Sequence, residues 1–104
     1  MNSQSNFQSI WEYEVKDEFR TDFIEAYNSN GLWVKLFREC EGHIETELKQ
    51  DIDQPNRFIT IDYWQSHSAF SAMKQTISDE YNKLDNRCEA YTLSENHIGF
   101  FSNE

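Results

Sequence analysis

Along the first half of the chain the apolar positions change period repeatedly, and each change marks an element. From Phe7 to Val15 the pattern alternates, with Phe7, Trp11, Tyr13 and Val15 on one face and Gln8, Glu12 and Glu14 on the other. That is the period of a half-buried strand, and Ile10 is its apolar exception on the polar side. Phe19, Phe23 and Tyr27 then fall on one helical stripe behind Asp17, an expected N-cap, and Asn30-Gly31 is expected to end that helix through a left-handed turn. Trp33, Leu36 and Phe37 resume helical spacing, which predicts a second short helix set at an angle to the first. After the break at Glu41-Gly42, residues 43–51 alternate again. Ile44, Thr46 and Leu48 are expected on one face, with His43, Glu45, Glu47 and Lys49 on the other.

The second half begins with Asp53-Gln54-Pro55-Asn56, which carries the chain's only proline and predicts a β-turn joining two antiparallel strands. Arg57 to Trp64 is the return strand. Ser66 or Ser68 then caps one long predicted helix, whose apolar positions Phe70, Met73, Ile77, Tyr81, Leu84 and Cys88 lie three or four residues apart. Ala90 to Thr92 closes it, and His97 to Phe101 supplies a last strand. The order of elements predicts an α+β, ferredoxin-like split βαβ fold: a four-stranded antiparallel sheet with helices on one face. One domain over residues 7–104 is expected, behind a disordered polar tip, MNSQSN, at 1–6.

A chain of 104 residues buries a modest core, yet this one carries eight Phe, five Tyr and three Trp. Such aromatic bulk, with one sheet face bare of helices, points to a homodimer in which a second copy supplies the cover. The formal charge of −10 repels phosphate backbones and anionic headgroups, which argues against nucleic-acid and membrane partners. No stretch is apolar enough to span a bilayer and the start lacks a signal-peptide pattern, so a cytoplasmic protein is expected. Cys40 and Cys88 lie in different predicted elements without a spacing signature; a bridge stays open, and two free thiols are the simpler expectation.

Three segments together resemble the antibiotic biosynthesis monooxygenase superfamily. They are EYEV (residues 12–15) leading into DEFRTDFIEAY (17–27), GLWVKLFRECEGHIETEL (31–48), and RFITIDYWQSHSAFSAM (57–73), a succession of strand, Trp, Ser and helix. The resemblance spans Phe7 to Phe101 and rests on order and spacing more than on any single motif. It implies a dimeric α/β barrel with a pocket between sheet and helices. In some members it implies oxygenase activity without a cofactor on aromatic or quinol-like substrates, and in others haem degradation. Trp64 occupies the strand-end tryptophan that presses on the porphyrin in the haem-degrading branch. That branch's Asn corresponds to Tyr13, and its ligand His is replaced by the stretch Met73, Lys74, Gln75 and Thr76. Both departures count against a haem role.

The candidate chemistry follows from the residues themselves. Trp64, Tyr13, Phe70 and Tyr81, with Trp33 from the short helix, are expected to bind a flat phenolic substrate whose anion reacts with dioxygen, with no metal or other cofactor. The simpler reading of the same aromatics is ordinary core, since aromatic stripes at element spacing are usually packing. His97, His43 and Asp62 are the candidate catalytic residues, the histidines as general bases. Asp62 becomes a proton acceptor if buried, although a salt bridge to Arg57 or Arg38 is its simpler fate. A metal held by His43, Glu45 and Glu47 with Glu95 and His97 would require their strands to be neighbours. The alternative to an enzyme is a non-catalytic dimeric barrel, a ligand-binding or stress-response module.

Overall fold

The computed structural model describes residues 6–104, so all but Asn6 of the expected polar tip lies outside the described residues. Strand β1 (Phe7–Val15) leads through a 3-10 turn (Asp17–Phe19) into α1 (Arg20–Tyr27) and α2 (Leu32–Phe37). The hairpin of β2 (His43–Gln50) and β3 (Arg57–Trp64) follows, then α3 (His67–Thr76), α4 (Ser78–Cys88), a 3-10 turn (Glu89–Tyr91) and β4 (Thr92–Phe101). The sheet is antiparallel throughout, in the order β2-β3-β1-β4, which is the ferredoxin-like arrangement predicted from the pattern. Among the described residues no helix is long and apolar enough to cross a membrane.

Packing starts from the alternation of the two central strands. In their register Phe7 faces Trp64, Ser9 faces Asp62, Trp11 faces Thr60 and Tyr13 faces Phe58, so these pairs share the helix-covered side. Val15, Phe23, Phe58, Trp64 and Met73 are almost wholly buried there. Phe23 is the hub, with ring centroids of Tyr27, Phe58 and Tyr13 at 4.2, 5.1 and 5.2 Å. The opposite face carries Ile10, Ile59 and Ile61, half-buried, beside Phe101, which is 46% exposed.

Several local expectations are corrected. Asp17 does not cap α1; it opens the 3-10 turn and pairs with Arg20 at 3.2 Å. Helix α1 ends one turn early, at Asn28, whose amide donates to the Ile24 carbonyl while its own oxygen accepts from Asn30 N–H. Gly31 is therefore not a left-handed stop. It is required because a Cβ there would lie 2.6 Å from the carbonyl oxygens of Glu25 and Ala26. Gly42 does adopt φ +100°, and a Cβ would also meet the Ala69 methyl at 2.4 Å, which seats the start of β2 on α3. The long helix is divided at Ile77 (φ −117°, ψ 31°), where Thr76-Ile77-Ser78 brings together β-branched and hydroxyl residues of poor helix propensity. Ser66 caps α3, accepting from Ala69 N–H at 3.1 Å. The last strand is longer than predicted, starting at Thr92, and carries a bulge opposite Ile10/Trp11.

Candidate functional site

A sheet face covered by helices is ordinarily apolar, so the polar residues on this one mark the site. Ser9, Thr46 and Thr60 are each no more than 3% exposed. Both Ser9 on β1 and Thr46 on β2 stand opposite Asp62 on β3. Further along β1, Trp11 stands opposite His97 and Tyr13 opposite Glu95 of β4.

Thr46 Oγ1 donates to Asp62 Oδ1 at 2.7 Å. That uses its only proton, so His43 Nε2, 2.9 Å from the same oxygen, is the N–H donor in the pair. A three-member chain His43, Thr46, Asp62 thus crosses two strands. It exists because a bulge between His43 and Glu45 turns His43 away from the polar face expected for it and onto the helix side. Burial, then the Arg38 charge, holds the His43 pKa down to about 4, which keeps the ring neutral at physiological pH and unsuited to accept a proton there.

Above this floor lies a cavity of about 310 Å³ lined by aromatic residues including Trp11, Tyr13, Trp33 and Tyr81 and by the polar Thr46, Thr60 and Asp62. A second lobe of about 250 Å³, with Ser9, Phe70, His97 and Phe100, shares Trp11, Phe37, Asp62, Lys74 and Tyr81 with the first. Asp62 therefore stands where the two lobes join. Neither expected arginine reaches it: Arg57 is engaged by Glu12 and Asp51, at 2.6 and 2.8 Å, and Arg38 donates to Asn30. Burial without a cation pushes the Asp62 carboxyl up to about 6, with the Thr46 hydrogen bond pulling the other way. The phenols respond oppositely in function. Burial raises Tyr13 well above its usual value and Tyr81 to about 12, so both remain protonated donors. With its carboxyl pushed up to about 6, Asp62 can take up and release a proton close to physiological pH.

The candidate residues divide by position, with Asp62 and Tyr81 common to both lobes. Tyr13, Trp33 and Tyr81 line the larger lobe, and Phe70, Tyr81 and His97 the smaller. His97 Nε2 lies 3.1 Å from Ser9 Oγ, its ring between Trp11 at 4.7 Å and Phe100 at 4.5 Å. Trp64 lines neither lobe. It is 0% exposed and forms the packing behind Phe37, His43 and Phe70, with ring centroids 5.1 to 5.8 Å away, so it acts as core. His43 likewise sits behind Thr46, outside both linings. The imagined metal cluster does not assemble, because β2 and β4 are opposite edges of the sheet. Among the described residues no group of three His, Cys, Asp or Glu could hold a metal ion. Cys40 and Cys88 are free thiols. Unforeseen in the sequence were Thr46, Thr60 and Lys74 as lining, and Asp85 and Glu95 at the more open end. For Thr46 and Thr60 the signal was present, as polar positions on the apolar face of β2 and β3.

Solved structures of the same shape place this cleft in context. The chain superposes on SnoaB, a cofactor-independent oxygenase from Streptomyces nogalater, with a TM-score of 0.73 and 17% identity over 96% of this chain and 94% of that one. A conserved protein from Methanosarcina mazei Go1 gives a TM-score of 0.74 at 14% identity, covering 98% and 96% of the two chains. At these identities the likeness establishes the fold. A Natronomonas pharaonis protein with a provisional haem-binding name is 32% identical over 60 residues, which are 58% of this chain and only 10% of that protein. The family model described as antibiotic biosynthesis monooxygenase matches residues 8–83, most of the chain from β1 into α4, and the protein belongs to that family.

Proposed function

We propose that the protein is a monooxygenase that works without a prosthetic group on a small quinol-like aromatic, bound between the sheet and α3–α4. The observation that carries this reading is Asp62: a desolvated carboxyl pushed to about 6 at the junction of two aromatic-lined lobes. Family membership supports the reaction class.

The reaction needs a substrate whose ring carbon becomes electron-rich once a neighbouring hydroxyl is deprotonated. Asp62 takes that proton, and the Tyr13 and Tyr81 phenols, which keep theirs, donate to the resulting oxyanion. The carbanion passes one electron to dioxygen, and recombination of the radical with superoxide forms a carbon–oxygen bond. Asp62 returns its proton to the peroxide, and loss of water leaves a carbonyl. A methylene thus becomes a ketone while one oxygen atom enters the product and the other leaves as water, four electrons given and four accepted. His97, against the Ser9 hydroxyl in the smaller lobe, orients the substrate's second polar edge.

A second copy of the chain is expected on the helix-free face, over Ile10, Ile59, Ile61 and Phe101, to complete a barrel. Sedimentation at micromolar concentration should give the dimer mass, and a monomer would contradict it. The haem alternative lacks its helix ligand, since α3 carries Met73, Lys74, Gln75 and Thr76 in that stretch.

The deciding assay follows dissolved oxygen with 1,8-dihydroxyanthrone in buffer containing EDTA. Enzyme-dependent uptake of one dioxygen per quinone formed is expected. Saturable binding without oxygen consumption would replace the enzyme with a ligand-binding barrel.

A further inference from the structure

The more open end of the larger lobe is acidic. Asp85 of α4 and Glu95 of β4 both line it, and Lys74 is the one Lys or Arg in the lining of either lobe. Lys74 Nζ lies 4.4 Å from the centroid of the Tyr81 ring, so an ammonium already rests on one of the cavity's aromatic faces. Glu95 lies within electrostatic reach of Asp85: burial, then the charges of Asp85 and Glu89, raise the Glu95 carboxyl. No cation makes a salt bridge to either among the described residues.

The inner end shows a different need. Thr60 Oγ1 and Trp33 Nε1 belong to residues 2% and 7% exposed that line this lobe, and neither atom makes a hydrogen bond. The Tyr13 phenol lies against Thr60, and the Tyr27 phenol and Cys88 thiol lie against Trp33, but none is aligned to satisfy the buried atom. A buried hydroxyl and a buried indole N–H left open in this way call for a polar atom from a ligand.

We propose that the larger lobe takes an aromatic ammonium: a phenol whose hydroxyl meets Thr60, Trp33 and Asp62 at the inner end and whose cationic side chain lies between Asp85 and Glu95 at the mouth. This rests on reading the cavity as the substrate site, and it names the substrate's charge. The ring packs against Trp11 and Tyr81, and the ammonium relieves the repulsion between the two carboxylates while facing aromatic surface. A carboxylate or phosphate in the same place would find Lys74 alone against two acids, within a chain of net charge −10.

The test is equilibrium binding to the wild-type protein under anaerobic conditions, followed by calorimetry, with three probes of similar shape: tyramine, 4-ethylphenol and 3-(4-hydroxyphenyl)propionate. Tyramine is expected to bind at least about tenfold more tightly than 4-ethylphenol, with the propionate weakest. In the Asp85→Asn, Glu95→Gln double variant the tyramine advantage should fall to about twofold or less. The single Glu95→Gln variant, at an exposed position, should already lose at least about threefold. Equal affinities, tighter binding of the propionate, no saturable binding of any probe, or an advantage that survives in both variants would each overturn the proposal. The reaction stands or falls apart from it. Oxygen uptake with dihydroxyanthrone but no tyramine preference removes the cation site alone, and tyramine preference without oxygen uptake by any phenol removes the oxygenase alone.

Discussion

Asp62→Asn is expected to slow oxygen consumption by about 10²- to 10⁴-fold, the range for losing a positioned general base, while making the folded protein more stable at pH 7. The two effects have one cause. The Asp62 carboxyl rises from an ordinary 3.8 to about 6 on folding because burial disfavours its charge. A raised carboxyl means that the folded chain holds the proton more tightly than the unfolded one. The resulting stabilisation is present in full below about pH 4 and is lost as pH rises through about 6. At pH 7 the wild-type protein therefore carries a buried charge that an amide does not. Part of the side chain meets the cavity, so the gain on substitution is about 1–2 kcal/mol rather than the whole shift. An amide oxygen at this position still accepts the Thr46 hydrogen bond, which keeps the floor in place. Urea denaturation at pH 7 and pH 4 should show the variant more stable at the first and level with wild type at the second. Unchanged oxygen uptake would remove Asp62 from the chemistry.

Trp64→Ala is expected to cost about 3–5 kcal/mol, the range for deleting a buried large aromatic, out of a total of about 5–15 for a domain of this kind. Trp64 is wholly buried at the end of β3, where it supports Phe37 and Phe70, residues that do line the lobes. Removing it takes away the backing of the cavity wall rather than a ligand contact. Any fall in activity should follow the folded fraction in guanidinium titrations, and Trp64→Phe should recover more than half of the lost stability. A variant destabilised by less than about 1 kcal/mol but with sharply weakened substrate binding would return Trp64 to the site.

The difference between these two residues shows what the sequence could and could not convey. Two residues apart on β3, Trp64 and Asp62 share one face of the strand. Alternation assigns a face, whereas helices on that face leave some positions under packed rings and others under open space. Trp64 sits beneath Phe37 and Phe70, and Asp62 beneath the gap before Tyr81 and Lys74. The order of elements and the sheet were legible because periods of two and of three to four residues follow directly from backbone geometry. His43 was misplaced because one bulged residue inverts the faces of everything before it, and nothing in HIETELKQ announces a bulge. Similarly, apolar spacing ran unbroken through Ile77, while the bend there lies in backbone angles that the periodicity of buried positions does not report. Tyr13 and Tyr81 were found because an aromatic on a core face draws attention. Thr46 and Thr60 were passed over because threonine is common in strands, although two of them with Ser9 and Asp62 on a covered face was the stronger signal.

The claim at the centre of this account is that the Asp62 carboxylate is the proton acceptor of an oxygen-consuming reaction. The pH dependence of kcat/KM for oxygen uptake with 1,8-dihydroxyanthrone tests it most directly. The account predicts a rate that rises tenfold per pH unit below about 6 and levels off above it, with that rise absent from the residual activity of Asp62→Asn. A profile that is flat from pH 5 to 7, or one whose rising limb persists in the variant, would contradict it.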